Sequence, residues 1–401
     1  MNKLRSGTTG AEHGTAAGLR RLRVLLTVFF ALDGFVFAGW VVRIPAIKAQ
    51  TGASASALGL ALLGVSAGAV VTMMLTGRLC RRFGNHPVTV ASALLLAVSV
   101  ALPPLPRSPL ALGLALLVFG TAYGALNVAM NSAAVDLVAA LGRPVMPSFH
   151  AAFSLGGMVG AGAGGIVAGH LSPTAHLLGL TVIALVVAVA AGLPLLRFAA
   201  PRPARPSGPG TGAVAAGSGR GGPSARTVVV VFGVIALCTA YGEGALADWG
   251  ALHLHQDLGA APGLAAAGYA VFALAMTVGR LSGTALLERL GRTAVLVGGG
   301  TVAAAGMLLG ALAPGTGAAL AGFGVTGLGL ANMFPVAMDR AGALGGPDGV
   351  AAASTLGYGG MLIGPPAIGF MADWLSLPVA LTSVALLAAC SAVIGYAFRR
   401  A

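Results

Sequence analysis

The hydrophobic pattern of the chain is a succession of apolar runs of about twenty residues, broken by short segments rich in Arg, Gly and Pro. A helix rises 1.5 Å per residue, so runs of roughly 20 residues match the thickness of a bilayer core. They predict twelve spans, at 22–47, 57–79, 88–104, 109–133, 148–170 and 175–198, then at 227–252, 263–287, 293–313, 316–339, 350–373 and 377–398. Residues 1–19 lack a cleavage-type pattern and the apolar run after Arg23 is too long for a signal-peptide core, which makes it a retained first span.

Polar positions inside the runs are concentrated in residues 119–169. Two spans are expected here, joined by a polar turn at Asp136 to Pro147. Asn127 and Asn131, four residues apart, share a helix face, and His150 opens the second span. An amide in hydrocarbon without a partner is costly, so these side chains belong to the protein interior or a watered cavity. Beyond His150, Gly156, Gly160 and Gly164 form a stripe that lets a neighbouring backbone approach closely, with Gly157, Gly165 and Gly169 nearby.

About 205 residues later the segment returns. Gly329 and Asn332 stand where Gly124 and Asn127 stood, Gly359, Gly360 and Met361 match Gly156, Gly157 and Met158, and Trp249 echoes Trp40. An internal repeat of this length predicts an all-α integral membrane protein, twelve transmembrane helices in two pseudo-symmetric six-helix bundles. The divisions are a tail at 1–21, a first bundle at 22–198, a linker at 199–226 and a second bundle at 227–401. The linker is too rich in Pro, Gly and Ser to bury a core and is read as flexible.

Composition sharpens this. Hydrophobic residues make up 57% and charged residues 8%, which excludes an ordinary soluble domain. The net charge of +13 is a topology signal rather than a nucleic-acid surface, because the basic residues sit between spans without interleaved aromatics. With both termini in the cytoplasm, twenty of the 23 Lys and Arg, Arg280 among them, fall in cytoplasmic segments or helix ends, and only Arg43, Lys48 and Arg107 lie outside. The three cysteines are scattered with no CxxC, so they indicate neither a disulfide framework nor a zinc site.

Two six-span halves joined by a basic linker resemble the major facilitator superfamily. The segment after span two, GRLCRRFGNH, is similar to that superfamily's loop signature, with Gly77, Arg78, Arg82 and Gly84 in place. It departs at Arg81, where the family usually has an aspartate that helps latch the cytoplasmic side. The matching second-half segment keeps an acid, Glu288, followed by Arg289 and Gly291, which makes Glu288 the candidate carrier of the latch charge. The segments FGTAYGALNVAMN, SFHAAFSLGG, WVVRIP and EGALADW are most similar to the fucose-permease-like branch and its poorly characterised bacterial inner-membrane members. The glutamate that couples protons in the sugar symporter corresponds here to Asn127, so sugar–proton symport does not carry over. The resemblance implies a multi-pass transporter of the bacterial cytoplasmic membrane, functional as a monomer, that moves a small-molecule solute by alternating access.

The candidate site consists of polar residues at depth. Asp33 lies about eleven residues, roughly 16 Å, into span one. Glu243 lies in the corresponding span seven and is expected at comparable depth. An intramembrane carboxyl is either neutral or paired, and that choice can be coupled to solute movement, so Asp33 and Glu243 are candidates for proton coupling or solute contact against a structural hydrogen bond. Asp248, beside Trp249, is assigned to structure or gating. Asn127, Asn131 and Asn332 would bind a polar solute or tie helices together. His150 would relay protons or cap a helix. Arg43 would meet an anionic solute or snorkel to the interface. His253, His255 and Asp257 have a spacing that a metal could use, but no further ligand is near, so no metal and no cofactor are expected.

A membrane enzyme would need a nucleophile–base pair or a metal cluster, and neither HExxH nor GxSxG is present. With no P-loop, transport would be secondary, driven by protons or another ion. A sensor lacks a soluble output domain. Uptake of a nutrient and efflux of a drug or secondary metabolite both remain open. With three Trp and five Tyr, an aromatic sugar platform looks thin, and the many glycines and alanines leave room for an apolar or amphipathic solute.

Overall fold

The computed structural model describes residues 16–142, 145–198 and 224–399. Most of the expected tail and linker, residues 1–15 and 199–223, lies outside the described residues. The described residues form α1 (Ala16–Val41), α2 (Ile44–Thr51), α3 (Ala55–Phe83), α4 (Asn85–Ser99), α5 (Pro109–Leu141), α6 (Met146–Ala168), α7 (Pro173–Leu196), α8 (Ala225–Gln256), α9 (Pro262–Leu312), α10 (Thr316–Leu330), α11 (Met333–Trp374) and α12 (Leu377–Ala397).

Local chemistry sets where these helices start. Ser108, Ser172 and Ser376 each accept a hydrogen bond from the backbone N–H three residues on, and a proline fills the first turn of α5, α7 and α12. Both devices deal with N–H groups that a first turn leaves without partners. The expected span 22–47 divides at residues 42–43, because Pro45 starts a new helix, α2, in its own first turn. The expected turn at Asp136 to Pro147 contracts in the same way: α5 runs on to Leu141 and ends at Gly142, whose φ of 60° closes the helix.

Nine stretches among the described residues are long and apolar enough to cross a membrane. The difference from the twelve expected has local causes. The 51 residues of α9 bend at Gly291 (φ 77°), so that two arms count once. The apolar helix α4 has only 15 residues, and the part of α11 beyond Gly345 falls outside the nine. Bulky apolar side chains face outward around the bundle, Leu110 and Ile166 at 77% exposure among them. A water-facing surface would not carry such a belt, whereas lipid accepts it without cost.

Helix neighbours repeat between the halves. α1 packs on α6 and α8 on α11; α3 packs on α5 and the first arm of α9 on α10; α4 packs on α7 and α9 on α12. The glycine stripe explains the closest of these contacts. A Cβ at Gly156 or Gly160 would land on the carbonyl of Ala31 or Phe35 in α1, and one at Gly360 on the carbonyl of Leu237 in α8. The loops after α3 and in mid-α9 also correspond. Gly84 (φ 90°) and Gly291 both adopt positive φ, and the next residue in each half reaches an aspartate. Asn85 donates to Asp136 at 2.6 Å, and Arg292 to Asp339 at 2.8 Å.

Between halves the most extensive contacts are α6 with α9 and α3 with α11. Gly59 meets Pro365, Gly369 meets Ala55, and Gly165 meets Gly263, backbone against backbone. The carboxylate of Asp373, exposed at the end of α11, accepts from the N–H groups of Ala55 and Ser56, the first residues of α3, at 3.0 and 2.9 Å. All of these contacts lie toward the face opposite the basic loops.

Candidate functional site

On the axis between the halves lies a cavity of two lobes that share Met73, Tyr123, Phe153, Glu243, Tyr358 and Met361. One lobe, about 220 Å³, adds Asn127, His150 and Arg280. The other, about 160 Å³, adds Phe37, Asp248, Tyr269 and Phe272.

Helix geometry places each group. Glu243 projects from α8, one element over from Arg280 on the first arm of α9, and one guanidinium nitrogen donates to both carboxylate oxygens at 3.3 and 3.2 Å. Another nitrogen of Arg280 donates to the hydroxyl of Ser154 on α6, 3.2 Å away in the other half. The pair is partly exposed to the cavity, 21% and 27%, so a solute can reach it. Arg280 was assigned above to the cytoplasmic charges. The structure moves it into the transmembrane region, where its partner Glu243 lets it stay.

Asp33 is in a different situation. It is fully buried on α1, and neither carboxyl oxygen has a hydrogen-bond partner. A charge in that position without a partner would be very costly, so the neutral acid is the form that fits the site. Arg43 does not relieve it. Arg43 is buried at the start of α2, donating to Nδ1 of His176 at 2.8 Å and to the carbonyl of Ala168 at 3.2 Å. It neither snorkels outward nor lines the cavity; it ties the first span to α6 and α7.

The three asparagines separate. Asn127 lines the cavity. Asn131 turns back on its own helix, donating to the Asn127 carbonyl at 2.8 Å. Asn332 is buried and donates to the carbonyl of Gly279 at 2.8 Å, which ties α9 to the start of α11. His150 stands at the cavity with its ring edge-on to Phe30, centroids 5.7 Å apart. His253 is fixed by Asp257 at 2.8 Å and the Gly310 carbonyl at 3.2 Å, and His255 by the Ala260 carbonyl, so their spacing serves to close a helix end.

The loop motif lies at the end of α3. Gly77, Arg78, Arg82 and Gly84 close α3, with the Arg82 guanidinium 5.2 Å over the Phe83 ring. Glu288 and Arg289 are exposed just before the Gly291 bend. Glu288 makes no ion pair among the described residues, and the acid engaged beside this bend is Asp339, paired with Arg292.

Sequence reasoning also missed the aromatics. Tyr123, Tyr269 and Tyr358, three of the five tyrosines, converge on one lobe with Phe37, Phe153 and Phe272. Phe37 stacks on Tyr123 at 5.3 Å and meets Tyr269 edge-on at 6.3 Å. These residues come from α1, α5, α6, α9 and α11, so no local motif announces the lining.

Two matching helical halves around an axial cavity, apolar but for a few convergent polar and charged groups, and wrapped in a lipid-compatible belt, define a membrane transporter. The model of the Major Facilitator Superfamily matches residues 24–358, and the chain belongs to that family. An uncharacterized MFS-type transporter of Yersinia pestis is 36% identical over 365 residues, covering 89% of this chain and 91% of the relative. Membrane protein MosC of Rhizobium meliloti is 29% identical over 382 residues, covering 93% and 90%. The fold is similar to a point mutant of the nucleoside transporter NupG (TM-score 0.70, 15% identity, 94% and 99% covered). It is similar also to a bacterial homolog of the human lysosomal transporter Spinster in an inward-facing, unoccupied conformation (TM-score 0.73, 12% identity, 96% and 98% covered).

Proposed function

We propose that this chain is a secondary transporter that carries a small solute across the bacterial cytoplasmic membrane by alternating access, with protons as the coupling ion. The observation that carries the reading is the axial cavity, walled by both halves while the named contacts between them gather toward one face. Rocking about the Arg280–Ser154 region would break the backbone contacts of Gly59, Gly165 and Gly369 and expose the same groups to the other side. Asp33 is the proton site in this reading, because a carboxyl without partners is neutral when sealed and free to ionise when water reaches it. Glu243 is charged and paired with Arg280, which makes the pair a solute contact and a switch between halves. The distribution of Lys and Arg puts the termini, the linker and the α3–α4 loop in the cytoplasm, and one chain holds a complete cavity, consistent with a working monomer.

Efflux rather than uptake is the second reading, and the aromatic lobe favours it because such a lining suits amphipathic compounds. Proteoliposomes with an imposed pH gradient test both. Solute accumulation toward the alkaline side supports symport, and accumulation toward the acidic side supports efflux by exchange. No movement of any solute under either gradient overturns the proton-coupled reading. External labelling of a tag placed in residues 199–226 in intact cells would overturn the topology.

A further inference from the structure

The two lobes differ in charge balance. In the larger one Arg280 is matched by Glu243. In the other the carboxyl of Asp248 faces the cavity among six aromatic rings, and among the described residues it has no ion-pair partner. Glu243 and Arg280 cancel, and His150 carries no obligate charge, so Asp248, which unlike the sealed Asp33 lines the cavity, is the acid at this wall that an arriving cation can hold ionised. Aromatic faces are negative as well, and a cation over such a ring gains roughly a factor of 2 to 30 in affinity. An anion would meet both a carboxylate and the ring faces, and a neutral polyol would have few hydrogen-bond groups besides three phenols.

We propose that this lobe is a receptor for an organic cation, a protonated or quaternary amine on an apolar body, with Asp248 as counter-ion and Phe37, Tyr123, Tyr269 and Tyr358 as the surrounding cage. The proposal rests on the reading of the protein as a solute transporter and names its solute class. Phe37 is already held in a ring cluster with Tyr123 and Tyr269, so the cage needs little ordering when the ligand arrives. A volume of about 160 Å³ admits an arylalkylamine but not a large peptide.

The test uses the purified full-length protein and three probes with a common phenylethyl frame: phenethylamine, 2-phenylethanol and phenylacetate, followed by isothermal titration. Benzyltrimethylammonium is added as a quaternary probe. Both cations are expected to bind at least about tenfold more tightly than the alcohol, and phenylacetate more weakly still. Asp248→Asn should remove most of the cation preference, weakening the cations far more than the alcohol. Asp248→Glu should restore part of it, which separates loss of charge from loss of fold. Phe37→Leu should weaken the cations more than the alcohol. Equal binding of the probes, preference for phenylacetate, an unaltered preference in Asp248→Asn, or no cation binding would each overturn the assignment. Proteoliposome flux of the same probes distinguishes the two levels. Cations that bind through Asp248 while no solute at all is moved would sink the transport reading and leave the receptor. Movement of phenylacetate or the alcohol in preference to the amines would sink the receptor and leave the transporter.

Discussion

The first spans of the two halves, α1 and α8, began as equivalents and solve the same problem in opposite ways. Each lies against a glycine-bearing helix, with Ala31 opposing Gly156 and Leu237 opposing Gly360. One acid is buried without a partner, and the other is half-exposed and paired with Arg280. The asparagines Asn127 and Asn332 diverge similarly, one toward the cavity and the other into a helix contact. Duplication supplied the frame, and divergence of single side chains made one half the place for a neutral acid and the other for an ion pair.

The frame is the easiest part of this comparison to break. Gly160→Leu and Gly360→Leu should be about equally damaging, each costing roughly 3 kcal/mol or preventing folding, because the added side chain must displace a backbone carbonyl. Thermal unfolding in detergent measures this. A mild effect in one half only would show that the halves do not share their packing.

The ion pair comes next. Arg280→Met leaves Glu243 without its partner and should cost about 2 kcal/mol, discounted from the fully buried case because both groups reach the cavity. Adding Glu243→Gln should recover most of that stability without recovering transport. If the double variant is as unstable as the single, the pair is not what holds these helices.

Asp33→Asn should change stability by less than about 1 kcal/mol, since the carboxyl has no bond to lose. It should nevertheless abolish accumulation driven by a pH gradient and preserve counterflow exchange. Uphill accumulation equal to the parent would remove Asp33 from the coupling role. Among the asparagines, Asn332→Ala should lower stability by about 1–2 kcal/mol and Asn127→Ala by less than half of that, because only the first makes a buried bond between helices.

The smallest effect is expected at the seal. Hydrogen bonds from the Ser56 side chain, and from the N–H groups of Ser56 and Ala55, hold the exposed Asp373 carboxyl below the usual carboxylate range. A depressed value means that the contact is intact above the ordinary carboxylate value and is lost only as the pH falls through the lowered one. Acidifying the medium to about pH 5 should therefore leave the seal closed, whereas Asp373→Ala should raise the labelling of a cysteine placed at Ser66 severalfold from the sealed side. Opening of the parent at that pH would show that another group governs the seal.

How much of this was readable varies with the range of the interaction. The apolar runs, the Ser and Pro starts of α5, α7 and α12, the repeat, and the glycine stripe of α6 are local or periodic, and the fold followed from them. The position of Glu243 in a central span was legible, but its partner was not. Arg280 lies near the end of an expected span and there looks like any interfacial cation. Arg43 looked like a site residue because an arginine near a membrane end is unusual, and only the approach of His176 gave it a structural role.

The chain by itself thus determined the membrane class, the duplication and the depth at which acids occur, because hydrophobic length and periodicity act within single helices. Tertiary structure decided which acid is paired, which asparagine meets the cavity, and that six aromatic rings scattered along the chain line one lobe with Asp248. Those outcomes depend on the rotation and height of helices packed from opposite halves, and in lipid these are set by close contacts between small residues on both partners rather than by the hydrophobicity of either.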